Sequence, residues 1–72
     1  MKYDTEILQS AFQRFKDTHT APTQTLAKRA RVGVATVNHL IRFGVGHPDN
    51  VDRIAKALGL KRGVKDVITR AS

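Results

Sequence analysis

Apolar residues recur at helical spacing along most of the chain, and polar or glycine-containing breaks divide them into five stretches. In the first, Ile7, Leu8, Ala11, Phe12 and Phe15 fall on one stripe. Asp4 stands just before it, where a carboxylate accepts from the free amides of a first turn, so a helix is predicted from there to about Lys16. The polar run Asp17-Thr18-His19-Thr20 breaks the pattern ahead of Pro22, a residue that suits the first turn of a helix because its missing N–H costs nothing there. A second helix is predicted from about Pro22 to Ala30, with Leu26, Ala27 and Ala30 inward. The tight corner Arg31-Val32-Gly33 leads into a third, from about Val34 to Phe43, with Val37, Leu40 and Ile41 facing the core. Gly44 and Gly46 end it, since glycine permits the left-handed turn of a helix terminus. His47-Pro48-Asp49 opens a fourth helix in which Val51, Ile54, Ala55 and Leu58 carry the stripe on to Gly59. Asp49 and Asp52 lie in its first turn, where negative charge is favoured. A short fifth helix over roughly 63–70 would bury Val64, Val67 and Ile68. No stretch reads as a strand, so the expected class is all-α: a small bundle of about five short helices.

With 72 residues, the chain is expected to form one domain spanning 1–72. A domain of this size buries only about 60% of its unfolded surface, which leaves room for one modest core and none for a large internal active site. There is no cysteine, hence no disulfide framework, thiolate metal site or thiol nucleophile, and the core must be held by packing. The longest apolar stretch, Val32 to Val37, is far short of the roughly 20 residues that span a bilayer. The amino-terminal MKYDTEILQS lacks the apolar centre of a secretory signal. A cytoplasmic protein is expected.

Charge narrows the reading. Thirteen Lys and Arg against six Asp and Glu leave a net charge of +7. Up to Asp17 the two signs cancel. From Thr18 to Pro48 there is no acidic residue, while Lys28, Arg29, Arg31, Arg42 and all three histidines lie within it. From Asp49 onward basic residues again outnumber acidic ones. These charges are interleaved with apolar residues at helical spacing, so they belong to folded elements and not to a disordered tail. A polyanion is the expected partner. Membrane-surface binding would call for large apolar anchors such as Trp, of which there is none, and all three phenylalanines have helical core positions open to them.

Two helices joined by a three-residue corner form the arrangement in which the second can stand clear of the domain and enter a DNA major groove. The stretch from Thr23 to Arg42, TQTLAKRARVGVATVNHLIR, resembles the helix-turn-helix of the lambda-repressor-like family of phage and bacterial regulators. The resembling positions are Leu26-Ala27, Val32 in the turn, Thr36-Val37 and Leu40. The following HPDNVDRIAKALGL is similar to that family's fourth helix, so the resemblance covers about residues 20–60. Ala27 is small where two helices must cross closely. Four departures stand out. Arg31 occupies the corner where the family usually has glycine, a backbone position that costs a non-glycine residue on the order of 1 kcal/mol. Gly33 stands where Ser or Thr usually caps the third helix. Thr23, with Gln24 beside it, falls where the family usually has glutamine, and the connector before the fourth helix is short.

On a third helix starting near Val34, the side chains of Val34, Ala35, Asn38, His39 and Arg42 point outward. Asn38 can pair bidentately with adenine, His39 can donate to or accept from guanine, and Val34 or Ala35 can pack on a thymine methyl. The resemblance likewise implies base contacts at Val34, Ala35, Asn38 and His39. Phosphate contacts, which position a protein without reading sequence, are expected from Thr23 and Gln24 at the positive end of the second helix and from Lys28, Arg29, Arg31 and Arg42.

Catalysis is disfavoured. The histidines lack the close helical spacing of a metal pair, no glycine-rich phosphate loop is present, and helix-start electrostatics accounts for Asp49 and Asp52. No metal, cofactor or small-molecule effector is expected. The reading is a Cro-like regulator, a repressor that binds a double-stranded operator, expected to be an inverted repeat, as a homodimer free or on DNA. Leu60, Val64, Val67 and Ile68 either supply the dimer face or simply close the core. The alternative is a protein-interaction module, an antitoxin or accessory factor, that retains a helix-turn-helix.

Overall fold

The computed structural model describes residues 2–68. They form four α-helices, α1 (Thr5–Thr18), α2 (Pro22–Ala30), α3 (Val34–Phe43) and α4 (Pro48–Ala57), followed by a single 3₁₀ turn, Gly63–Asp66. The class is all-helical, as the periodicity predicts. Among the described residues extended pairing is limited to one isolated antiparallel bridge, Tyr3 with Ile68.

α1, α2 and α4 begin where local chemistry satisfies or dispenses with a first-turn amide. Asp4 Oδ1 accepts from the N–H of Glu6 at 3.0 Å and of Ile7 at 3.2 Å, a cap that contributes about 1 kcal/mol. Pro22 and Pro48 occupy the first turns of α2 and α4. His47 Nδ1 accepts from the Asp49 N–H at 3.2 Å. α1 outruns its expected end at Lys16 by half a turn, because side chains of the polar run after it bind back onto the helix. Thr18 Oγ1 donates to the Phe15 carbonyl at 3.1 Å, and the His19 ring stacks on Phe15 with centroids 3.9 Å apart.

α1 packs on α3, α2 lies against both α3 and α4, and α4 carries the 3₁₀ turn. Leu8, Leu26, Val37, Leu40, Val51, Ile54 and Val67 are fully buried at the centre. Ile7, at the edge of the first stripe, falls outside this core at 38% exposed, and Phe43, to which a helical core position was open, is 59% exposed. Tyr3, ahead of the first helix, is buried.

The fifth helix is where expectation and structure part. Only Gly63–Asp66 is helical, and as a 3₁₀ turn. The Val67 carbonyl accepts from the Asp4 N–H at 2.7 Å. Val67 is core, whereas Ile68, expected to be buried, is exposed beside Tyr3. Residues 69 and 70 of the expected helix lie outside the described residues. Leu60 and Val64 pack against the core, so with Val67 they close it. Within residues 2–68 no helix is long and apolar enough to cross a membrane.

The amino-terminal segment is clamped from two sides, since Tyr3 N–H also donates to the Gly44 carbonyl at 2.7 Å. Gly44 adopts φ +69°, and a Cβ there would sit 2.5 Å from the Tyr3 carbonyl oxygen. Gly44→Ala is therefore expected to lower stability by about 2 kcal/mol or more, combining left-handed strain with a steric clash. Urea unfolding measures it, and a loss below half that size would contradict the clamp.

Asp52 ties the 3₁₀ turn to α4. Its Oδ1 accepts from the Val64 N–H at 2.9 Å and its Oδ2 meets Lys56 Nζ at 3.1 Å. The Val64 hydrogen bond, then Lys56, holds its pKa below the ordinary 3.8. A folded-state pKa depressed in this way gives stability that is complete above the ordinary carboxylate range and lost as pH falls through the folded-state value. Asp52→Asn keeps an acceptor but not the charge. Its melting temperature should lie below the parent's at neutral pH and converge with it on acidification below pH 3.8; parallel curves would remove Asp52 from the acid transition.

Candidate nucleic-acid interface

α3 is held by one side. Val37, Leu40 and Ile41 are buried against its neighbours, and successive residues turn by about 100°, so Ala35, Asn38, His39 and Arg42 face outward. All four are exposed, and Val34 in the first turn is 42% exposed. α2 packs on α3, and its small residues Ala27 and Ala30 are both buried. Gly33 enters α3 in extended conformation and supplies no side-chain cap.

Beside the outer face lies an open hollow of about 450 Å³ where α1, the start of α2 and α3 meet. Thr23, Asn38 and Arg42, distant in sequence, come together on its wall. So do three α1 residues that the sequence did not single out: Gln9, Gln13 and Lys16. Their spacing of four and three is the signal that could have found them, a polar stripe beside the apolar one. Gln9 Nε2 donates to the Ile41 carbonyl at 3.1 Å and Gln13 Nε2 to Asp17 Oδ1 at 3.3 Å. Lys16 and Arg42 make the lining cationic, and no carboxylate belongs to it.

The remaining expected phosphate contacts divide. Gln24 and Lys28, four apart on α2, share an exposed flank. Thr23 and Gln24 lie in a first turn that no side chain caps. Arg29 points to the other flank, its guanidinium 5.8 Å from the centroid of Phe15, so the structure does not bring it to the hollow. Arg31 is exposed at the corner. Of the three histidines, His19 is stacked on Phe15 and His47 caps α4. His39 alone stands on the outer face of α3, its ring 6.2 Å from that of Phe43. Among the described residues no group of three His, Asp or Glu side chains is placed to hold a metal ion.

The corner has the geometry that its sequence makes costly. Arg31 adopts φ 59° and ψ 45°, the one left-handed non-glycine residue described. Its N–H bonds Lys28 O at 3.2 Å, and the next N–H, of Val32, reaches back to Ala27 O at 3.0 Å. The turn is therefore built as a glycine would build it.

No family model matches the chain, and no curated protein or solved structure does either.

Because the left-handed region costs an L-residue roughly 1–2 kcal/mol and glycine's greater unfolded-state freedom returns part of that, Arg31→Gly should stabilise the fold by up to about 1 kcal/mol. Equilibrium urea unfolding reads this directly. A variant less stable than the parent would show that the arginine side chain contributes more than its backbone strain costs.

Proposed function

We propose that this chain is a sequence-specific double-stranded-DNA-binding regulator, a Cro-like repressor in which α2 and α3 act as a helix-turn-helix and α3 enters the major groove. The observation that carries the reading is the outer face of α3, exposed and free of carboxylates, bordered by a hollow whose charged lining is wholly cationic. In this reading Asn38 and His39 meet base edges, and Val34 and Ala35 pack on thymine methyl groups. Thr23 and Gln24 offer amides at the positive end of α2 to a phosphate. Lys28, Arg31 and Arg42 add charge along the backbone track, with Arg29 at its margin. Lys16 and Gln13 extend that track onto α1. Two copies, with recognition helices one DNA turn apart, would read an inverted repeat and roughly double the free energy available to one copy.

Selection of binding sites from random duplexes tests the proposal. The expected product is an enriched inverted repeat, against which Asn38→Ala and His39→Ala each lose about 1–3 kcal/mol and relax specificity at one position. With about 6 phosphates neutralised per bound unit, the log–log salt slope should lie near −5, and Arg31→Gly should reduce it by about 1. Binding that enriches no sequence and ignores salt would overturn the reading.

A further inference from the structure

We infer that the face formed by the carboxyl-terminal end of α3 and the segment leading into α1 is the docking surface for a second copy of this chain. Phe43 and Val45 are 59% and 40% exposed there, and Phe43 is the most exposed of the large apolar side chains described. They flank Gly44, whose carbonyl is bound by Tyr3, so the backbone beneath them is fixed. Together with Tyr3, Lys2, Asp4, Glu6 and Arg42 they line an open hollow of about 670 Å³.

The charges decide the occupant. This hollow carries two cations, Lys2 and Arg42, and two carboxylates, Asp4 and Glu6, and is neutral. The hollow beside α3 has cations only, and a third, of about 470 Å³, sets Lys56, Lys61, Arg62 and Lys65 against Asp52 alone. On a chain of net charge +7, both cationic hollows repel a copy of the same molecule and attract a polyanion. The Phe43 face does the opposite. Its carboxylates repel phosphate and acidic protein, while its mixture of signs suits a partner that presents the same mixture. A two-fold contact supplies one, because it sets the same patch of both copies face to face, two cations and two carboxylates on each side, and covers both pairs of apolar side chains. Arg42 borders this face and the hollow beside α3 alike, so the contact would lie at the end of α3.

The inference does not rest on DNA binding, and its test omits DNA. Sedimentation equilibrium of the full chain at about 0.1 to 1 mM, the weak end of the affinity scale that a small patch calls for, should show reversible dimers. Phe43→Ser, at an exposed site, should weaken association about ten-fold or more with helical content and melting temperature retained; Val45→Ser serves as a second probe should that variant misfold. Lys2→Glu and Glu6→Lys should each weaken association alone and recover it when mixed, because only the heterodimer then opposes unlike charges at both symmetry-related contacts. A chain monomeric throughout this range, a dimer indifferent to both serine variants, or a mixture no better than its components would overturn the inference.

Discussion

Everything α3 presents to solvent depends on how its other side is seated. Val37 and Leu40 are completely buried and Ile41 nearly so, and burying each such side chain is worth about 1.5–3 kcal/mol. Rotating the helix by one residue's turn would expose part of that stripe and bury Asn38 or Arg42 without partners, a cost of several kcal/mol. The outward direction of Asn38, His39 and Arg42 therefore follows from the inward direction of the three aliphatic residues. A chain this small can cover each helix on one side only, and α3 uses that limit to keep a polar face in water.

The two ends of α3 are held differently. At its start the chain accepts a left-handed arginine where glycine would be relaxed, keeping a cation at the corner at the cost of backbone strain. At its end, Gly44 meets the same conformational demand without strain, and must do so because the Tyr3 backbone lies against it. One end thus carries an exposed cation, and the other ties the helix to the amino-terminal segment. That segment is fixed in turn by Val67, so Tyr3 joins two parts of the chain remote from it in sequence.

Charge is distributed among three open hollows so that they cannot serve one purpose. Two are cationic and one is balanced. A polyanion approaching the molecule is drawn to the cationic pair, and a second copy meets least repulsion at the balanced one, where Phe43 and Val45 also gain from being covered. Carboxylates placed at the start of α1 do double service there, since Asp4 caps the helix while it offsets Lys2 and Arg42.

Periodicity by itself determined four helices and most of their ends, because amphipathic spacing, proline at first turns and glycine at Gly44 act within a few residues of one another. It also determined which α3 residues face outward, since that follows from the apolar stripe alone. Tertiary structure decided the rest, for reasons that lie at long range. Of the expected fifth helix the described residues show a 3₁₀ turn, Gly63–Asp66, and beyond it the Val67 carbonyl accepts from Asp4, a partner from the other end of the chain. Ile7 reads as core by spacing and Phe43 had a core position open to it, yet both are exposed. Gln9, Gln13 and Lys16 read as an ordinary solvated stripe until α1 packs on α3 and places them beside Asn38. A local pattern can say which side of a helix turns inward; what stands next to its outer side depends on how separate helices cross.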